Sequence, residues 1–227
     1  MNYTLSLYKD EAAPQAQIQL PPGNALRAIY VIHGGLRVRA GNFSGVLGGN
    51  SAFHTTDGFQ LSAGHLTTWA LRWELSPAGA PDAVATGNGV NSKKLLTAAM
   101  QLDPAQDYLL RCDRVDFPPG GEALTHTHRG GGIRCLLAGA IDIHTNHTVH
   151  RYLPLEPWFE AGPDAVYAKT APAVDSAFTR VMILPRELLG KSSITYVKPE
   201  DIDKPKNQKY QIFIDAPIAL PAIALPT

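Results

Sequence analysis

Short runs of alternating apolar and polar residues, broken by glycine and proline, make up most of this chain. Tyr3, Leu5 and Leu7 alternate with polar neighbours, which predicts an edge strand, and a polar stretch then leads to a turn at Pro21-Pro22-Gly23. Residues 26–38 read as two short β-rich runs broken at Gly34-Gly35, and residues 133–143 have the same shape, broken at Gly139. Setting Gly34 against Gly139 aligns Tyr30-Val-Ile with Cys135-Leu-Leu. It also brings Trp69-Ala-Leu-Arg-Trp-Glu-Leu-Ser-Pro into line with Ala177-Phe-Thr-Arg-Val-Met-Ile-Leu-Pro, with Arg72 matching Arg180. Two copies of one β-rich unit account for this period.

Between the copies, residues 76–90 are rich in Gly, Ala and Pro and predict a surface loop. Residues 91–104 carry Ser92 as an N-cap, helix formers inside and Asp103-Pro104 as a stop, which predicts a linker helix. The second copy opens with a strand over 108–117. Beyond it, 141–144 and 148–153 form a hairpin around a turn at 145–147, a strand covers 178–184, and 185–190 is a short helical turn stopped by Gly190. The charged stretch 198–209 precedes an alternating segment, 210–215, which docks either on the protein's own sheet or on a partner subunit; a homodimer is the expected assembly.

Composition narrows the function classes. The 227 residues suffice for one large domain or two small ones, and 18% charged residues is below the roughly 25% usual for soluble domains. Twenty acidic residues balance twenty basic ones, so no net field draws in nucleic acid or anionic lipid. The N-terminus lacks a basic start followed by an apolar core, and no apolar run approaches membrane-spanning length; a soluble cytoplasmic protein is expected. Cys112 and Cys135, both in apolar runs, read as buried thiols.

Candidate chemistry concentrates in residues 118–139. A Pro118-Pro119-Gly120-Gly121 turn leads to His126-Thr127-His128, and a tight turn follows at Gly130-Gly131-Gly132. Alternate side chains of a strand share a face, so His126 and His128 form a two-toothed clamp suited to Zn, Fe, Ni or Cu. Counting alternately from His126 turns Arg134 inward, where a buried guanidinium requires an anionic partner: a substrate carboxylate, Glu160 or Asp142. Arg180 and Arg111 raise the same question, and Arg134 and Arg180 are the candidate catalytic residues. Glu122, on strand parity with His126, is a lesser ligand candidate, as are His144, His147, His150 and Asp164. Trp158, Phe159 and Tyr167 line a pocket or pack in the core, and His33, His54 and His65 are too scattered to suggest a site.

The arrangement Gly120, His126, His128 and Gly139 resembles the first motif of the cupin superfamily. The family's glutamate is replaced by Gly132, and the histidine of its second motif by a residue among Asp164, Ala165 and Val166. The resemblance implies an all-β fold of two cupin-type jelly-roll barrels with a short linker helix. Residues 1–90 are then a degenerate first barrel, 91–104 the linker, and 105–227 the second barrel and tail. It also puts Glu160 on a strand beside the histidines, as the third metal ligand of a two-histidine, one-carboxylate face typical of non-haem Fe(II) oxygenases. The implied function is a metal-binding cupin, with Fe first and Zn, Ni or Mn as alternatives, acting as a dioxygenase on a small organic acid or diketone-like molecule. The alternatives are a non-catalytic sensor of metal or small ligand and a metal-free scaffold.

Overall fold

The computed structural model describes residues 2–20, 24–40, 43–55 and 59–222. The chain divides into two compact units: one runs to Pro104 and takes in the chain from Leu220, and the other spans Ala105–Ala219. Among the described residues the only helical segments are two 3-10 turns, Arg186–Leu188 and Pro199–Asp201, so none is long and apolar enough to cross a membrane.

The first unit comprises β1 (Tyr3–Ala12), β2 (Gln17–Ile18), β3 (Leu26–His33), β4 (Gly35–Ala40), β5 (Phe43–Gly48), β6 (Ser51–Thr55), β7 (Phe59–Ala63), β8 (Thr68–Pro77) and β9 (Val90–Met100). They pair into two antiparallel sheets, ordered β6-β3-β8-β1-β9 and β2-β7-β4-β5. Alternate residues of the larger sheet, including Ile29, Val31 and Ala70, pack with Leu36, Val38 and Leu61 of the smaller one. That packing is what period-two alternation provides when two sheets face each other.

The second unit repeats the plan with β10 (Tyr108–Phe117), β11 (Glu122–His128), β12 (Gly132–Ala138), β13 (Ile141–Thr145), β14 (Thr148–Tyr152), β15 (Pro157–Glu160), β16 (Val166–Thr170), β17 (Ser176–Pro185), β18 (Ile194–Tyr196) and β19 (Lys209–Ile218). Its sheets run β15-β12-β17-β10-β19 and β14-β13-β16-β11-β18. Trp158, Phe178, Leu136 and Val115 pack against Ile141, Ile143, Val166 and Ala168 between them.

The internal repeat extends to individual pairs. Ile29 stands opposite Arg72 as Arg134 stands opposite Arg180, and Tyr30 opposite Leu71 as Cys135 opposite Thr179. Gly34 and Gly139 share a positive φ, +79° and +75°, which a side chain strains to adopt. In each unit the repeated arginine reaches a carboxylate on the unit's first strand. Arg72 donates to Asp10 at 2.6 and 3.2 Å, and Arg180 to Asp113 at 2.7 and 3.1 Å.

Two expectations change, and one left open is resolved. The linker helix is a strand: Val90–Met100 pairs along the whole of β1. Helix propensities differ by only tenths of a kcal/mol per residue, whereas an unpaired β1 edge would leave a row of backbone donors and acceptors unmet. Ser92, the expected cap, instead donates its hydroxyl to Asp10 at 2.5 Å, and a bulge between Leu7 and Tyr8 absorbs the imperfect alternation. For the same reason β1 is no edge strand, since it lies between β8 and β9. Segment 210–215 docks on the chain's own sheet, as part of β19 against β10. The turn at Pro21–Gly23, where the repeat alignment puts the first unit's counterparts of His126 and His128, lies outside the described residues.

Candidate metal centre

The histidine strand is shaped by an irregularity. The β11–β16 ladder shifts register between Ala123 and His126, so Ala123 and both histidines are buried although they differ in parity. The shift breaks the expected parity of Glu122 with His126: the Glu122 carboxylate accepts a hydrogen bond from the Tyr167 hydroxyl at 2.6 Å instead.

The rings of His126 and His128 lie perpendicular, with their Nε2 atoms 3.2 Å apart. His126 Nδ1 is 2.7 Å from the Leu124 carbonyl oxygen, which only accepts, so Nδ1 carries the proton and Nε2 presents a lone pair. His128 Nε2 is also 3.3 Å from Glu160 Oε2, and its Nδ1 is 3.4 Å from the Ser193 hydroxyl. Burial lowers the pKa of both histidines, that of His128 to about 3, so both are neutral and the His128–Glu160 contact is no ion pair.

Glu160 enters from β15. The Trp158 indole donates to its Oε1 at 2.8 Å and Arg134 Nη2 lies 2.7 Å from its Oε2. Burial alone would raise this carboxyl, but Arg134, with bonds from His128 and Trp158, holds it well below the usual carboxylate range. Arg134 is itself completely buried, which lowers its pKa to about 10 against the pull of Glu160. Arg180 keeps a raised pKa despite burial because Asp113 accepts two hydrogen bonds from one edge of its guanidinium. Both arginines therefore have carboxylate partners within the protein, and the four side chains sum to zero charge.

Gly132 stands next to the carboxylate. It is the direct ladder partner of Glu160, so the position left by the family's glutamate and the carboxylate actually present face each other across β12 and β15. A Cβ at Gly132 would sit 2.4 Å from the Val181 carbonyl oxygen, which leaves no space for a side chain there.

The other candidates lie elsewhere. His144 stacks edge-on against Tyr167, His147 occupies the hairpin turn with φ +61°, and His150 is exposed on β14. Asp164 accepts from Asn146 at 3.2 Å, Asp142 pairs with Arg151, and Arg111 is bound by Asp215 and by the carbonyls of Leu188 and Lys191. Trp158 belongs to the core. Sequence reasoning missed Asp113 and Ser193; alternation along β10 carried a signal for the first, and nothing in the sequence marked the second.

His126, His128, Glu160 and Arg180 line a cavity of about 20 Å³ together with Ile194 and Tyr210. That is space for about one water-sized occupant. Among the described residues no three His, Cys, Asp or Glu side chains are grouped so as to hold a metal ion, and Arg134 also occupies Glu160 Oε2. The donor chemistry nevertheless suits a cation: His126 Nε2 and Glu160 Oε2, both acceptors, approach His128 Nε2, so that a proton or a metal ion has to mediate between them.

No family model matches the sequence, and no curated protein matches it. Solved structures do. Oxalate decarboxylase from Bacillus subtilis at pH 4.6 superposes with a TM-score of 0.65 at 10% identity, over 87% of this chain and 72% of that one. The S161A mutant of the same enzyme gives 0.64 at 9% identity, over 91% and 80%. AerE from Microcystis aeruginosa gives 0.57 at 13% identity, over 80% and 87%. The fold is that of a two-barrel cupin, built from jelly-roll sheets without a linker helix.

Proposed function

We propose that the second barrel binds a divalent metal ion through His126, His128 and Glu160 and acts as a metal-dependent enzyme on a small organic anion. The observation that carries this reading is the convergence on His128 Nε2 of a second neutral imidazole nitrogen and a carboxylate oxygen. A metal held there would supply Lewis-acid and single-electron chemistry, with Fe or Mn the best suited. A solved structure of B. subtilis oxalate decarboxylase is described by its Mn(II) centres.

Charge defines the substrate class. Arg134, Arg180, Asp113 and Glu160 cancel, so a divalent cation leaves two positive charges in a buried site. An anionic ligand relieves that cost. Arg180, whose side chain lines the cavity, would face the anion, while Arg134 acts as a positioning residue behind Glu160. Ser193 and the Leu124 carbonyl fix the ring orientations. The small cavity favours a second reading, in which the metal alone occupies the site and sets conformation without turnover.

Metal content by mass spectrometry, on tag-free protein and on a His126→Ala/His128→Ala double variant, is the first test. Stoichiometric Fe or Mn that disappears in the variant, followed by oxygen uptake or carbon dioxide release with oxalate or malonate, supports the enzyme. Metal without turnover on any carboxylate supports the sensor. An absence of metal after reconstitution refutes both.

A further inference from the structure

The first unit holds a larger cavity that the metal centre does not involve. It measures about 480 Å³, within the range of small-molecule sites. Its floor is one rung of the five-stranded sheet: Arg27 on β3, Glu74 on β8, Ser6 on β1 and Thr97 on β9 stand side by side in the ladder. A second pair, Ser76 and Thr4, lies next to that rung. At the other end of the sheet the same face is apolar, with Ile29, Val31, Ala70 and Ala12. A row of polar side chains on the inner face of a barrel is costly unless its groups are matched.

The matching leaves capacity to spare. Ser6 and Thr97 hydroxyls bond each other at 2.9 Å, and Thr4 and Ser76 at 3.2 Å. In such a pair one hydroxyl donates, so the other keeps a hydrogen to give, and both keep lone pairs. Arg27 donates to Glu74 at 2.8 Å, Arg72 bridges Glu74 and Asp10, and Asp82 at the rim is held by Lys94 at 2.7 Å, so the ionic groups of the wall and their partners sum to zero charge. Most of the remaining lining is Ala and Pro, including Ala25, Pro77 and Pro81, with Tyr8 and Asn24 among them.

We infer that this cavity is a binding site for a small uncharged polyol, such as a monosaccharide or cyclitol. Paired hydroxyls can give or take hydrogen bonds with ligand hydroxyls, and the Ala/Pro wall receives the C–H faces of a ring. A charged ligand would find each ionic group on the wall already neutralised.

Saturation-transfer NMR on the full chain tests this with glucose, ribose and myo-inositol against glucose 6-phosphate and citrate. The result expected is transfer to at least one uncharged polyol and none to citrate, unchanged in the His126→Ala/His128→Ala variant. Thr97→Val, which preserves shape and removes a hydroxyl, should weaken the dissociation constant about fivefold. Ser76→Trp, which fills the cavity, should abolish binding while circular dichroism stays native. Transfer to no uncharged polyol, preference for the charged probes, or binding that survives in a folded Ser76→Trp protein would each overturn the inference.

Discussion

Replacing Glu160 by Gln is the most informative single change in the second barrel. The amide retains an acceptor for Trp158 and nearly the same volume, but removes the charge that neutralises Arg134. The Arg134 side chain is 0% exposed and the carboxylate 9%, so water cannot take over from Glu160. Removing one partner of such a pair costs about 3–5 kcal/mol, because it strands the other charge. With a urea dependence of about 2 kcal/mol per molar, the midpoint should fall by roughly 1.5–2.5 M. Urea unfolding followed by tryptophan fluorescence, in chelator, measures this. The companion variant Glu160→Leu/Arg134→Met, with both charges removed, should return to within about 1 kcal/mol of the parent. Both proteins should lack metal. A Glu160→Gln variant within about 1 kcal/mol of the parent would refute a buried charge held by Glu160. A double variant as unstable as the single one would show that packing, not charge, is lost.

Gly132→Ala should destabilise the barrel by about 1–3 kcal/mol, read in the same unfolding assay, because the new Cβ meets the Val181 carbonyl at 2.4 Å. The Tyr167 phenol has its pKa raised to about 12 by burial and its bond to Glu122. The native state therefore keeps a proton that the unfolded chain loses near pH 10; this contribution is complete below pH 10 and is lost as pH rises toward 12. Absorbance titration at alkaline pH should show a late-ionising tyrosine that ionises earlier in Glu122→Gln, with the part due to burial retained. Cys112 and Cys135 are fully buried, and burial pushes the Cys112 thiol strongly up, so neither should react with a thiol reagent until urea unfolds the protein.

How far the sequence disclosed this site depended on which interactions were local. The His-x-His pair and the inward Arg134 follow from strand parity, and the repeat of Arg72 in Arg180 from the internal alignment, both of which the ladders preserve. The bulge before His126 is invisible to parity counting, and it is why Glu122 was a plausible ligand in the sequence and is none in the fold. Residues 91–104 misled for a different reason: their helix propensity is real, but the partner that overrides it, β1, lies some ninety residues earlier. The pairing of Gly132 with Glu160 joins two segments that no local pattern connects, so their juxtaposition became legible only in the ladder.

In both units the first strand lies between the last two long ones, β1 between β8 and β9 and β10 between β17 and β19. During synthesis β10 must therefore wait: Asp113 meets Arg180 across 67 residues, and Arg111 meets Asp215 across 104. Ser193, which orients His128, also emerges late, 65 residues after its partner. The ribosome thus releases His128 long before Ser193, so a nascent chain cannot present the complete arrangement until nearly the whole second unit has been made. Contacts this distant favour slow closure, and under the proposed function a metal would be taken up by the finished barrel, not by the growing chain.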